Sequence, residues 1–453
     1  MSLTSLLSIA RSALVTYQRA MNVTAHNVAN AETPGYTRQR LAITAAEPLR
    51  VPGGTLGRGV TDLGIERTRD RFLDASFRRE TSLLNTAETL QDLLAQVEAA
   101  FAEPGDAGLG AALDGLFTAF SDLAADPASS VNRGLVVQAA GRLISRFHGL
   151  DAAISQAAQE AGDRLTAQVA EVNRLASQVA ELNTKILAAG PTHSAPDLED
   201  QRDGLLDRLA ELGAVRVTPR DDGTVSVLFG DTLLVDAGTA QSLTAVPGAG
   251  GSYSISVTSG APVDPQAGSL RALLDLTGTT LPGIRAQLDA LAAGLVTEVN
   301  TLHQAGYTAT GATGVAFFDP ARLTAGSIAL SAPVAASSSA IAAGASPAPG
   351  DARVAQQLAA LATQPAGSLG GRSLRDFYTD LAAAVGSAVQ DASATAGAHE
   401  ALVHRAEMQR ASTSGVSVDE EMVTLISQQQ VYQAAARLIR VADEMIADLL
   451  RTL

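Results

Sequence analysis

Ala29-Asn30-Ala31-Glu32-Thr33-Pro34-Gly35-Tyr36-Thr37-Arg38 closes the first helical stretch of the chain, and its reading decides the fold. Upstream of it, Leu3, Leu6 or Leu7, Ala10, Leu14, Tyr17 and Met21 recur at steps of three and four, which is one apolar stripe along an α-helix. Asn22, Asn27 and Asn30 raise the polarity towards the end of that helix. Thr33 precedes a proline and is pushed out of the helical region. Pro34-Gly35 then reads as a turn, with glycine free to take positive φ. Asn27 and Asn30 stand three apart on one face, placed to bond neighbouring backbone at the helix end. Alternatively, Asn30 is simply a terminating residue that tolerates the left-handed region. Tyr36 is expected to pack under the turn with its hydroxyl at a polar edge.

The other end of the chain is built alike. Ser412-Thr413-Ser414-Gly415 breaks one helix, and Ser417 or Asp419 caps the next, with Glu420 three residues after Ser417 as in a capping box. The last helix carries Met422, Leu425, Ile426, Tyr432, Ala435, Ile439, Ala442, Ile446 and Leu449. Helices of about 30 residues at each end reach roughly 45 Å. Two readings of the paired stripes stand side by side. Either both helices dock on the protein's own core, or they form a coil that neighbouring subunits complete and order.

Between the ends the pattern is mainly helical. Leu83, Ala87, Leu90, Leu94, Val97 and Phe101 form one near-heptad stripe, and Val136, Ala140, Leu143, Phe147 and Leu150 another. Leu165 to Ile186 and Ile284 to Leu302 continue the habit, which indicates long helices packed almost parallel in an elongated bundle. Asn183 falls in a stripe, where it either sets register or marks a partly exposed end. From Val215 to Val257 the period changes to two, with Asp221-Asp222-Gly223 as a hairpin turn, so a small antiparallel β-domain is inserted. Residues 324–350, rich in Ala, Ser, Gly and Pro, read as a loosely structured connection. The expected division is a terminal coiled-coil domain (1–38 plus 416–453), a helical bundle (39–214 plus 270–415) and the β-insert (215–269).

Composition narrows the function classes. Hydrophobic residues make up 46% of the 453, enough for real cores, while aromatics are only 4%, which suits bundles of aliphatic side chains. The net charge of −15 disfavours nucleic acid and anionic membrane as partners. With no cysteine there are no disulfides, thiolate metal sites or thiol catalysis. No apolar run reaches the length of a membrane helix. Arg11, Tyr17, Gln18 and Arg19 interrupt what would be a signal peptide's apolar region, so a cytoplasmic chain or export without a cleaved signal is expected.

The residues give no positive case for catalysis. His26, His148, His193, His303, His399 and His404 include no i, i+4 pair, and the carboxylates are spread along helix faces. Gly53, Gly54, Gly57 and Gly59 match no nucleotide-binding spacing. No catalytic residue, cofactor or metal is expected.

The block His26-Asn27-Val28-Ala29-Asn30-Ala31-Glu32-Thr33-Pro34-Gly35-Tyr36 resembles the N-terminal signature of bacterial flagellar axial proteins, the rod, hook and hook-associated subunits. Asp200-Gln201-Arg202-Asp203-Gly204-Leu205-Leu206, Asn300-Thr301-Leu302-His303-Gln304-Ala305-Gly306-Tyr307 and Gly415-Val416-Ser417-Val418-Asp419-Glu420-Glu421 with Gln428 to Ala434 resemble the hook-associated branch. The resemblance implies a structural subunit at the junction of hook and filament, assembled as a ring of copies. Its implied partners are hook protein, a second junction protein and a cytoplasmic export chaperone that holds the C-terminal helix. It also implies an axial signature turn (Asn27, Asn30, Thr33, Pro34, Gly35, Tyr36) and a subunit seam of Leu3, Leu6, Ala10, Leu14, Tyr17, Met21, Met422, Leu425, Ile426, Tyr432, Ile439, Ile446 and Leu449. A sibling junction protein or a flagellin would lack the Thr-Pro-Gly-Tyr turn, and a secreted hydrolase on such ends would need a richer β-domain. After Phe317-Phe318-Asp319-Pro320 longer members insert a further β-domain, which is expected to be absent or vestigial here.

Overall fold

The computed structural model describes residues 3–51, 54–101, 105, 108–190 and 195–452. His193 and the side chains of Val51, Leu449 and Thr452 lie outside that description. The chain is mainly α-helical with small antiparallel sheets, as its periodicity predicts.

Helix α1 (Leu3–Ala29) leads into a nested hairpin of β1 (Gln39–Ala45), β2 (Leu49–Val51), β3 (Gly54–Leu56) and β4 (Val60–Arg67). In it β2 pairs with β3, and β1 with β4. Counted with the bundle from sequence, β1 and β4 in fact lie against α1. Gly59 permits this: at φ +92° a Cβ there would sit 2.3 Å from Ser12 Oγ. Of the glycine cluster, Gly59 thus serves close backbone approach, whereas Gly54 and Gly57 meet no neighbour and Gly53 lies outside the described residues.

Helix α2 (Arg71–Phe101) begins at Asp70, whose Oδ1 accepts from the N–H groups of Phe72 and Leu73 and so satisfies two orphan donors of the first turn. Helix α3 (Leu109–Ala125) is followed by α4 (Ser130–Ala189), which is 60 residues long and capped by the Ser129 side chain. At 1.5 Å per residue α4 spans roughly 90 Å. Its stripe of Val136, Leu143, Phe147, Leu165, Val172 and Val179 is fully buried. Helix α5 (Pro196–Leu212) starts on a proline, which suits a first-turn position.

The β-insert follows. Strands β5 (Val215–Pro219), β6 (Val225–Phe229), β7 (Thr232–Asp236) and β8 (Thr239–Ala240) pair in sequence, leaving β5 an edge. Val225, Val227 and Phe229 alternate into the core. Strands β9 (Leu243–Pro247), β10 (Tyr253–Val257) and β11 (Pro262–Val263) form a second sheet with β10 central. Asn183 is not a partly exposed end residue: it is fully buried and ties α4 to this insert. Its amide donates to Val225 O (2.9 Å) and Ala237 O (2.8 Å) and accepts from Val225 N (3.2 Å) and Arg202 Nη1 (3.0 Å). Fixing β6 and the β7–β8 turn to one helix explains a polar residue in the stripe better than interhelical register does.

Helices α6 (Gly268–Asp275) and α7 (Leu281–Ala305) join through a π-turn at Leu276–Thr280, directly before Pro282. The proline cannot donate to the preceding turn, and the wider turn accommodates it. Strand β12 (Tyr307–Thr308), helix α8 (Ala332–Ala336), strand β13 (Ala342–Gly344) and helix α9 (Arg353–Ala360) come next. Helix α10 (Leu374–Ser414) then runs back along α2, and α11 (Val418–Thr452) along α1. Contacts of Tyr378 with Phe101 and His399 with Glu80 set α10 antiparallel to α2.

Residues 324–350 are a packed segment rather than a loose connection. Ala325, Ile328, Val334, Ile341, Ala342 and Ala343 are buried, because Asn300 and His303 of α7 hold the backbone around them. Asn300 accepts from the N–H groups of Phe317 and Phe318 and donates to Phe318 O. His303 accepts from Ala342 N at Nε2 (2.9 Å), so its proton sits on Nδ1 and is donated to Val315 O (2.7 Å). Low complexity hid this, since small side chains carry little periodic signal.

His303 gives the fold a pH dependence. Burial, opposed by the bond to Val315 O and aided by the charge of Arg133, pushes its pKa down to about 4. Unfolded, it titrates near 6.5. Between those values the unfolded chain binds a proton that the native one does not, so stability present above pH 6.5 is lost as pH falls towards 4. The loss amounts to about 3 kcal/mol. Urea midpoints at pH 7 and pH 4.5 should therefore differ more for the parent than for His303→Gln; equal slopes would refute the assignment.

Candidate assembly site

The terminal helices form one antiparallel pair. Thr24 Oγ1 donates to Gln428 Oε1 (3.2 Å) and Asn27 Nδ2 to Glu421 Oε2 (2.9 Å), which fixes direction and register. Towards α1 the last helix turns Glu421, Leu425, Gln428, Tyr432, Ala435, Ile439, Ala442 and Ile446, at alternating steps of four and three. Of these, Glu421, Ala435 and Ala442 are buried, and the larger apolar ones are half-buried. On α1 Ala10 and Ala20 are buried, while Leu3, Leu6, Leu14, Tyr17 and Met21 are half-buried. Met422 and Ile426, grouped with the seam from sequence, are exposed, and the Leu449 side chain lies outside the described residues. A second apolar flank, Val431, Leu438, Val441 and Met445, also faces out.

At the end of α1 the chain reverses over Asn30 to Gly35. Asn30 Nδ2 donates back to His26 O (3.0 Å), Thr33 Oγ1 to Asn30 Oδ1 (3.2 Å) and Thr33 N to Asn30 O (2.9 Å). Asn30 is thus a helix-end bonder as well as a terminator. Gly35 takes φ +79°, a conformation that L side chains avoid.

Asn27 is the centre of the joint. Buried at the seam, its Oδ1 accepts from Tyr36 OH (2.8 Å) and Gln39 N (3.0 Å), while Nδ2 donates to Gln39 O (2.8 Å) and to Glu421. The side chain therefore imitates a strand neighbour for Gln39. Glu421, only 2% exposed, takes a second bond from Arg38 Nε (2.7 Å). Arg38 Nη1 reaches Glu420 (3.1 Å), so Glu420 serves this ion pair. Burial and the carboxylates of Asp197, Asp200 and Glu421 push the Tyr36 phenol above its ordinary range, leaving it a proton donor throughout the physiological range.

The segment after the turn is gripped from the bundle through Thr37 and Gln39. Thr37 donates through N (2.9 Å) and Oγ1 (2.6 Å) to Asp200, and Gln39 Nε2 donates to Asp197 (2.8 Å). Below them lies a buried ionic network. Arg67 binds Glu199, Asp200 and Asp203; Arg69 binds Asp74 and Asp203; Arg78 binds Asp207 and Asp203; and Arg410 of α10 binds Asp74 and Asp207. The sequence block Asp200-Gln201-Arg202-Asp203 is thus the bundle's half of the joint. The arginine partners of these acids lie more than a hundred residues away, so the local pattern of acids along a helix face does not disclose the pairing. Glu421 was missed as a site residue, although a polar group one heptad before Gln428, Ala435 and Ala442 is the signal that could have found it.

Among the described residues no group of three or more His, Asp or Glu is placed to hold a metal, and no helix is long and apolar enough to cross a membrane.

A helix pair made from the two chain ends, turned by Thr-Pro-Gly-Tyr into a helical bundle, defines a flagellar axial subunit. The rod-protein model "Flagella basal body rod protein" matches residues 7–37, and "Flagellar basal body rod FlgEFG protein C-terminal" matches 409–452. "Flagellar hook-associated protein FlgK helical domain" matches 94–318. The chain belongs to the flagellar hook-associated protein 1 family. Flagellar hook-associated protein 1 of Bacillus subtilis is 29% identical over 97% of this chain and 96% of its own length. That of Salmonella typhimurium is 29% identical over 70% of this chain and 59% of its own length. The solved flagellar hook junction protein FlgK from Burkholderia pseudomallei superposes with a TM-score of 0.66 at 18% identity, over 76% of this chain and all of that one. At that identity the likeness is one of fold. The chain is a structural, non-enzymatic subunit of the extracellular flagellum at the hook–filament junction, assembling with flagellar components.

Proposed function

We propose that the terminal pair is the assembly device and the bundle the spacer it carries. In this reading Leu3, Leu6, Ala10, Leu14, Tyr17 and Met21, with Leu425, Tyr432, Ile439 and Ile446, form the seam. Met422, Ile426 and the flank Val431, Leu438, Val441 and Met445 meet neighbouring copies. The copies form a short ring between hook protein and the second junction protein. A cytoplasmic export chaperone covers the same apolar flank of α11 beforehand.

The supporting observation is the mismatch between length and burial. Helix α11 has 35 residues, yet its fully buried apolar side chains among the described residues are Ala435 and Ala442. At about 0.8 kcal/mol per buried CH₂ these contribute little against roughly 1–2 kcal/mol of backbone entropy per ordered residue. The seam needs further apolar cover, and the exposed flank supplies the surface for it.

Leu438→Glu with Val441→Glu is the direct test. Both positions are about half exposed, so the isolated protein should melt within about 0.5 kcal/mol of the parent. Filament growth on purified hooks should be lost. Growth at the parental rate would sink the assignment of this flank.

A further inference from the structure

Seven of the chain's 32 basic residues line one cleft away from the terminal pair. It lies between the end of β4, the first turns of α2, α5 and the edge strand β5, and encloses about 420 Å³. Arg67, Arg69 and Arg78 are neutralised there by the acids of the joint, and Arg220 by Asp236. Arg202 is buried and donates through Nη1 to Asn183 and Gly223, but its Nε has no partner. Arg71 and Arg216 are exposed, and neither guanidinium has a carboxylate or hydrogen-bond partner among the described residues. Past Arg216, Ala75 and Val215 a second hollow of about 340 Å³ continues the cleft to Phe72, whose side chain is 79% exposed. Free arginines beside an uncovered aromatic ring are what the buried centre of a protein interface is made from.

We propose that this two-lobed cleft docks an acidic segment of a second copy of this chain, a carboxylate lying between Arg71 and Arg216 and an apolar side chain against Phe72. The choice of partner follows from charge. The chain is −15 overall, so stacked copies repel one another except where one copy's carboxylates meet another's unneutralised cations. A guanidinium matches a carboxylate with two parallel bonds, which adds register to the attraction. The contact would sit directly above Arg67, Arg69 and Asp203, tying each neighbour to the joint. The proposal rests on reading the chain as a subunit that assembles with its own copies.

Lys185 is the chain's only lysine, which makes carboxylate-to-amine crosslinking nearly free of background. The full-length Arg71→Lys/Arg216→Lys variant, assembled on purified hooks and treated with a carbodiimide, should give covalent dimers. Peptide mapping should join an introduced amine to an Asp or Glu of a second copy. The same variant before assembly should give none. Arg71→Glu/Arg216→Glu should melt like the parent but bind hooks about tenfold less at low salt. The proposal is overturned if the lysine variant assembles without such a dimer, if its crosslinks run only to a different flagellar protein, or if the glutamate variant assembles like the parent. Assembly retained here but lost in Leu438→Glu/Val441→Glu would remove the cleft and leave the terminal-pair reading standing.

Discussion

Asp203→Ala is expected to destabilise the protein by about 3 kcal/mol or more, with the joint as the first part to open. Asp203 is shared by Arg67 Nη1 (2.8 Å), Arg69 Nη1 (2.8 Å) and Arg78 Nη2 (3.5 Å). Burial alone would raise its pKa, yet the guanidiniums of Arg69, Arg67 and Arg78 hold it below the ordinary carboxylate value. The net attraction therefore exceeds the desolvation cost. Its stabilising contribution is present above the unfolded carboxylate's pKa and is lost as pH falls through the lower native one. Removing the carboxylate leaves three cations clustered in a dry site, each with a remaining acid: Glu199 for Arg67, Asp74 for Arg69 and Asp207 for Arg78. Those remaining pairs keep the cost near the lower end of the usual range for a broken buried pair. Denaturant unfolding followed by circular dichroism measures it. A loss under about 1 kcal/mol would mean that the network is no stronger than a surface ion pair.

What the sequence disclosed depended on how far apart the interacting residues are. The stripes of α4 and α11 repeat locally, so both helices could be read directly, although Met422 and Ile426 fall outside the buried face of α11. The turn at Pro34-Gly35 was equally legible, because proline and glycine restrict backbone in place. Asn183, Glu421 and Asp203 were not legible, since each acts on a partner distant in the chain: Val225 for Asn183, Asn27 for Glu421 and Arg67 for Asp203. In a local pattern a polar residue in a stripe looks like an end or a defect. The packed 324–350 tract failed for the opposite reason. Its alanines and serines fit a tight core beside Phe317 and Phe318, but small side chains leave no period to detect. Composition and motifs therefore named the axial class, while the residues that carry load between its parts needed the fold.

Asn27→Ala should separate the two halves of the molecule without unfolding the larger one. The asparagine makes four bonds across three segments, to Tyr36, to both backbone groups of Gln39 and to Glu421. Alanine restores none of them, and it strands a buried backbone N–H, its carbonyl and a buried carboxylate at about 1–3 kcal/mol for each unsatisfied group. Water entering the opened site offsets part of this, so a local loss of about 3 kcal/mol is expected. The α2–α10 and α4 cores are distant from it and should keep the parental melting transition. Hydrogen exchange should instead quicken across residues 3–29 and 418–452, since α1 and α11 lose the bonded pair that fixes their register. Filament growth on hooks should fall with it, because of the two polar bonds across the seam only Thr24 to Gln428 then holds the register. Asn27→Asp keeps the shape and the Oδ1 acceptor for Tyr36 and Gln39 N, but loses the donor to Gln39 O and to Glu421, which it then faces with a like charge. It should therefore be at least as damaging. If Asn27→Asp assembled normally while Asn27→Ala did not, packing rather than hydrogen bonding would hold the joint.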